Sequence, residues 1–286
     1  MRSHQTKMDV IGNNIANVNT YGYKTQRTTF RDVYYQQIKN AGVGSADRGG
    51  INPSQVGYGA QVGSVDTIHT ISGWAPTNKP TDVFINGEGY FAVQTSTGEQ
   101  LFTRVGAFGF DSAGNLVDIN GSRVMGWNEG DVAVDATTGK VTVSGDIAPV
   151  VIVQPENVEY TNRTINPDGT ITAIYNNQVN DSDPLNDTIV TLGLVAVYNV
   201  ENQDALVLEG NSYYRRSNNT GEITSQIPGS KGSGTGALVT GALEMSNVDL
   251  ANEFSDMIMT QRGFQANTKI ISVVDQMLEE LVNLKR

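Results

Sequence analysis

For acid–base chemistry this chain of 286 residues offers two histidines, His4 and His69, and a scatter of carboxylates; it has no cysteine. Acyl transfer needs a nucleophile, a base beside it and a group that orients the base. His69 is the histidine with enough chain on both sides to be buried or oriented, and nothing marks a companion Ser or Asp. Carboxylates fit for paired acid and base work would be Asp82, Glu88, Asp111 and Asp118. They fall at hairpin turns and strand ends, where solvated acids are ordinary. Glycines Gly232, Gly234 and Gly236 in GSGTGALVTG (232–241) follow a loop and lead toward a strand. A dinucleotide fingerprint instead leaves a strand and opens a helix, so this run reads as a connector. Calcium could be held by Asp181, Asp183 and Asp187 of DSDPLND (181–187), but the Gly and terminal Glu of an EF-hand are missing. We therefore expect no catalytic residue, no metal site and no cofactor.

The formal net charge of −11 argues against nucleic acid as a partner, because phosphate binding needs a basic footprint. The charge is uneven along the chain. Residues 1–40 carry Arg2, Lys7, Lys24, Arg27, Arg31 and Lys39 against Asp9 and Asp32, whereas residues 243–286 are net acidic. Opposite signs fit ends that lie together. No apolar run approaches the roughly 18 residues of a membrane span, so no membrane insertion is expected. The first residues also lack the apolar core of a cleaved signal peptide.

Two terminal segments carry helical periodicity. Near the beginning, Met8, Ile11, Ile15 and Val18 form one stripe, with Asn13 and Asn17 on the opposite face. Residues 10–23 contain no charge. Asn costs several tenths of a kcal/mol in a helix relative to Ala, so something other than water should receive these amides. Gly12 and Ala16, four apart, allow close approach by a neighbour. The second segment runs from about Val248 to Lys285. Leu250, Phe254, Met257, Phe264, Ile271, Leu278 and Val282 advance by four and three, with Gln261, Thr268 and Asp275 in the skipped steps. A second row holds Ala266, Ile270, Val274, Met277, Leu281 and Leu284. At 1.5 Å per residue this helix is about 50 Å long, twice its only intrachain partner. Ser246 or Asn247 is the expected N-cap.

A helix with two apolar rows and half a partner implies self-assembly. The residues expected between subunits are Ile11, Gly12, Asn13, Asn14, Ile15, Ala16, Asn17, Phe254, Met257, Gln261, Phe264, Gln265, Ile271, Leu278 and Leu281.

Between the ends the period changes to two. Residues 82–127 read as five or six short strands joined at Asn86-Gly87, 96–98, 111–114 and Asn120-Gly121. Further strands are expected at Val141–Val143, Val150–Val153, Ile171–Tyr175, Ile189–Tyr198 and Ser212–Arg215. Segments 38–62 and 217–236 are rich in Gly, Ser and Asn and read as connectors. The expected fold is mainly β with α: discontinuous terminal coiled-coil helices flanking an inserted antiparallel β domain. Its parts are a helical polymerisation core (1–37 with 243–286), an extended connector (38–79) and the β domain (80–242).

These stretches are familiar. HQTKMDVIGNNIANVNTYGYKTQ (4–26) resembles the N-terminal signature of bacterial flagellar axial proteins of the rod and hook family, and LEMSNVDLANEFSDMIMTQRGFQANTKIISVVDQMLEELVNLKR (243–286) resembles the C-terminal one. Residues 82–127 resemble the family's shared β module, and GNSYYRRSNNTGE (210–222) its recurring strand and loop. Within the family, TQRGFQAN (260–267) and ELVNLKR (280–286) look like the hook branch, with the distal rod branch as the alternative. Family members carry a longer segment, with Gly and Ser, before the first motif. Many hooks also have an extra outer β domain, for which this chain has no room, and cysteine crosslinks are excluded.

The resemblance implies a homopolymer with the terminal helices as an inner tube and the β domains outside. As a hook it would be a bendable universal joint that transmits torque from rod to filament. The implied partners are other axial proteins (rod, hook cap, hook–filament junction) and the flagellar type III export apparatus. The implied location is the extracellular flagellum, reached without a cleaved signal peptide. A secreted β-rich enzyme or carbohydrate-binding module, using the loops of 82–127, is the alternative from another class.

Overall fold

The computed structural model describes residues 1–44, 49–134, 141–155, 158–177, 185–230 and 234–284. Asp181 and Asp183 of the acidic loop and Gly232 of the glycine run lie outside these. The chain divides into two compact units. Unit 1 comprises residues 1–18, 25–68 and 248–286, and unit 2 comprises 19–24 and 69–247. Both helices fall in unit 1: α1 is Arg2–Ala16 and α2 is Leu250–Leu284.

Helix α1 stops two residues short of Val18. There the asparagine amide competes with the ladder, as Asn17 Nδ2 donates to the Asn13 carbonyl (2.9 Å) and to Asn13 Oδ1 (3.0 Å). Helix α2 is capped by Asp249, not by Ser246 or Asn247. Asp249 Oδ1 accepts from the amides of Ala251 (2.9 Å) and Asn252 (3.3 Å), two of the donors left open at any helix start. The two helices lie against each other, and Lys7 Nζ is 3.0 Å from Asp256 Oδ2, which joins the oppositely charged ends.

The rest of unit 1 differs from the connector expected at 38–79. Gln26–Asp32 pairs antiparallel with Ala60–Thr67, and Tyr35–Lys39 pairs with Ser54–Gly57. A bridge from Gly42 to Ile51 carries the ribbon further. Its side chains are mostly exposed, so no alternation of apolar and polar residues betrays it, and the backbone ladder alone defines it.

Unit 2 is built on antiparallel strands, six of them within 82–127: Val83–Asn86, Tyr90–Gln94, Gln100–Thr103, Phe108–Phe110, Leu116–Asp118 and Arg123–Asn128. The main sheet runs in the order Val158–Ile165, Thr170–Asn177, Ile189–Val195, Arg123–Asn128, Tyr90–Gln94, Gln100–Thr103, Tyr213–Arg215, Val207–Gly210. Its central strand is buried on both faces. Phe91 and Val93 enter one apolar cluster with Val83, Leu116 and Ile171, while Tyr90 and Ala92 enter another with Phe102, Trp127 and Leu194.

Three strand expectations shift. The stretch expected as one strand at 189–198 turns at Ala196 into two, Ile189–Val195 beside Arg123–Asn128 and Val197–Val200 beside Tyr90–Gln94. The strand expected at Val150–Val153 is reduced to a bridge from Asn115 to Val151, beside the short strand Ala148–Pro149. The connector at 217–236 contains Ile223–Gln226, paired with Val197–Val200.

Candidate functional site

Unit 1 has almost no interior. Among its described residues Ile11, Asn14 and Thr260 are the buried ones. Beyond its first turns, α2 presents Ile270, Ile271, Val273, Val274, Met277, Leu278, Leu281, Val282 and Leu284 to solvent, Leu281 at 62% and Leu284 at 82% exposure. Apolar side chains in water cost about 1.5–3 kcal/mol each relative to burial, so a helix this long needs a cover. The ribbon adds exposed Tyr34, Tyr35, Ile38 and Tyr58. An isolated two-stranded ribbon is marginal in water.

The residues expected between subunits separate by exposure. Phe254, Ile271, Leu278 and Leu281 are about half exposed or more, Gln261, Gln265, Asn13 and Ala16 are exposed, and Gly12, Ile15, Asn17, Met257 and Phe264 are half-buried. A Cβ on Gly12 would meet open space, so this chain does not itself use the small-residue surface.

Ile11 and Asn14 differ from the expectation because they turn into unit 1 itself. Asn14 Nδ2 donates to the Gln26 carbonyl (2.8 Å) and to Glu253 Oε1 (3.0 Å), and its Oδ1 accepts from the Gln26 amide (3.0 Å). One buried amide thus fastens α1 to the first strand of the ribbon and to α2. Glu253 is held above the usual carboxylate range, chiefly by burial, against the pull of its hydrogen bonds from Asn14 and Thr25.

Unit 2 contains a buried charge cluster that the sequence did not announce. Lys24 Nζ lies 2.6 Å from Glu244 Oε1, with both side chains wholly inaccessible, and it also donates to the Thr70 carbonyl at 2.8 Å. Arg104, likewise buried, approaches Glu244 Oε2 to 3.6 Å, donates to the Gly87 carbonyl and lies 5.1 Å from the centre of the Tyr90 ring. Burial pushes the Lys24 ammonium down, while Glu244 pulls it back up.

His69 sits in the aromatic wall beside this cluster. Its Nδ1 is 2.8 Å from Tyr90 Oη, and its ring packs near Tyr214. Burial lowers its pKa to about 4, with Asp204 opposing and the cations Lys24 and Arg104 assisting, so the ring is neutral at pH 7.

The other chemistry candidates serve the fold. Asp111 Oδ1 accepts from the Ala113 and Asn115 amides, and Asp118 Oδ1 from those of Asn120 and Ser122, each closing its own turn. Asp82 is buried rather than solvated and pairs with Lys79 at 3.2 Å. Gly236 backs onto Gly87, where a Cβ would stand 2.2 Å from the Asn86 carbonyl oxygen. Close approach of two backbones explains that glycine.

Three family models match the chain in order: "Flagella basal body rod protein" over residues 1–24, "Flagellar hook protein FlgE/F/G D1 domain" over 84–173 and "Flagellar basal body rod FlgEFG protein C-terminal" over 239–284. The chain is 39% identical to the flagellar basal-body rod protein FlgG of Bacillus subtilis, with 100% of this chain and 96% of the relative covered. It is 34% identical to the rod protein FlgG of Buchnera aphidicola subsp. Acyrthosiphon pisum, with 99% and 95% covered. It is 28% identical to the flagellar hook protein FlgE of Treponema pallidum in an alignment of 464 positions that covers 100% of this chain and 98% of the relative.

Proposed function

The chain belongs to the flagellar rod and hook family of axial proteins, and from that premise we propose that it is a structural subunit that polymerises through unit 1, in the manner of a basal-body rod protein. The observation that carries this reading is the near absence of a core in unit 1. Its helices and ribbon expose the apolar surface that a folded unit would bury, and copies of the same chain supply the cover when the contact is heterologous and repeats along an axis.

Rod rather than hook is supported by length and identity. The alignment with the Bacillus subtilis rod protein spans 286 positions, the length of this chain, whereas that with the hook protein spreads over 464, most of the excess being sequence for which this chain has no counterpart. The hook reading, as a bendable joint, rests on the hook-like stretches 260–267 and 280–286. On either reading the partners are copies of the chain and neighbouring axial proteins. Delivery is by the flagellar type III apparatus to the outside of the cell.

Expression in two Bacillus subtilis strains, one lacking its own rod protein FlgG and one lacking its hook protein, separates the readings. We expect basal bodies to be completed in the first strain. Rescue of the second strain alone would overturn the rod assignment in favour of the hook, and rescue of neither, with the chain present outside the cell, would count against both.

A further inference from the structure

Glu244 belongs to the last strand before α2, Ala242–Glu244, and Lys24 to the short segment 19–24 that unit 2 takes from the other end of the chain. Three passages meet around the pair. Gly22 N donates to the Glu244 carbonyl (2.9 Å), Ala242–Glu244 pairs with Trp74–Pro76, and Ser72 offers its amide to Glu244 Oε1 (3.3 Å) and its hydroxyl to the Ser246 carbonyl (2.9 Å). A single carboxylate therefore faces two buried cations, Lys24 and Arg104. Without it both remain in a low-dielectric interior with no other ion-pair partner among the described residues, the costly way to break a buried ion pair.

We propose that Glu244 is a folding latch. The β domain of unit 2 closes only when this carboxylate seats between Lys24 and Arg104, so a chain whose C-terminal segment has not arrived stays open. Synthesis runs from the N-terminus, and Lys24 and Arg104 are made long before Glu244. The two cations keep the β domain from completing itself early, and the latch closes together with the delivery of α2, which begins six residues later at Leu250. The advantage to an exported subunit, a chain that stays unfolded until it is whole, rests on the assembly reading. The latch itself does not.

Hydrogen-exchange pulse labelling during refolding of the full chain tests this. In the natural sequence we expect amides of Val83–Asn86, Tyr90–Gln94 and Arg123–Asn128 to gain protection in the same phase as Leu243 and Glu244. In Glu244→Gln, native-state protection of those strands should fall at least tenfold. In the triple variant Lys24→Met, Arg104→Met, Glu244→Leu, which keeps side-chain bulk without charge, protection should recover above that of Glu244→Gln, and the strands of 83–128 should become protected before residues 243–244. Early protection of 83–128 in the natural sequence, or a triple variant no better protected than Glu244→Gln, would overturn the latch. Failure of the chain to polymerise would leave these readings unaffected, because they concern the monomer.

Discussion

Asn14 and Glu253, separated by 239 positions in the chain, share a hydrogen bond of 3.0 Å inside unit 1, and the same Asn14 amide makes a reciprocal pair with the backbone of Gln26. A helix N-terminal to everything else is thereby tied to the helix at the far end of the sequence. Replacing Asn14 by Leu removes both Gln26 partners and leaves a part-buried N–H and C=O unsatisfied, which costs about 1–3 kcal/mol for each group so stranded. We expect the α1–α2 pair to lose stability by about that amount in urea, followed by helical circular dichroism, and the Gln26 amide to exchange faster. Asn13→Leu, at an exposed position of the same helix, removes the Asn17 Nδ2 bond to Asn13 Oδ1 but strands no buried group, so it should cost the monomer clearly less and disturb the polymer's regularity instead. Equal effects of the two substitutions on the monomer would remove Asn14 from its role.

The outer half of α2 makes the opposite prediction. Leu278 and Leu281 are 54% and 62% exposed in the single chain. Surface substitutions away from special features usually change stability by less than about 0.5 kcal/mol. Leu278→Asp with Leu281→Asp should therefore leave monomer unfolding unaltered while abolishing polymers in sedimentation and electron microscopy. Tubes of normal appearance from the double variant would show that this face is not the assembly surface.

How far the sequence discloses this architecture depends on the range of the contact. Met8, Ile11 and Ile15, and the two rows of 250–284, mark both helices because a helix writes its apolar side with a local period. Turns such as Asn120-Gly121 mark the strands of 82–127 for the same reason. The ribbon of 26–67 escaped because its strands are mostly exposed on both faces in the single chain, so they carry no core-facing alternation. Asn14 was legible as an amide needing a partner but not as to which, since Gln26 and Glu253 are set by the tertiary fold. Lys24, Arg104 and Glu244 gave almost no sign of their burial, because a charged residue ordinarily means water. The one hint was the charge-free run 10–23 that ends at Lys24, and it points to burial without naming the counter-ion.

His69 makes unit 2 sensitive to acid. Its folded-state pKa of about 4 lies below the ordinary 6.5, because burial opposes the imidazolium. Between these values the unfolded chain binds a proton that the folded unit refuses, so stability rises with pH through this window and is lost as pH falls from about 6.5 toward 4. The urea midpoint read from Trp127, which is buried in unit 2, should be flat above pH 7 and decline below it. His69→Gln should flatten part of that decline. Glu253 in unit 1 is shifted upward, and its contribution runs the other way, weakening unit 1 as pH rises past the carboxylate range, so a probe inside unit 2 is needed. An unchanged slope in His69→Gln would assign the acid sensitivity elsewhere.

At Gly22 a backbone cost and a packing cost coincide, and Gly121 separates them. Gly22 adopts φ +67°, and a Cβ there would stand 2.8 Å from Val105 Cγ2 and 3.2 Å from the Val105 amide nitrogen. Gly121 also has a left-handed backbone, φ +79°, but a Cβ on it would meet nothing within 4 Å. Gly121→Ala should therefore cost only the left-handed conformation, about 1 kcal/mol. Gly22→Ala should cost that and the displacement of Val105, about 1–3 kcal/mol more by analogy with overpacked cores. Because Gly22 N also holds the Glu244 carbonyl, the larger loss should come with faster exchange of the Gly22 amide and of the neighbouring strand Ala242–Glu244. Identical urea midpoints for the two alanine variants would mean that the chain can move away from Val105 freely, and that the entry of residues 19–24 into unit 2 is looser than the geometry around Lys24 demands.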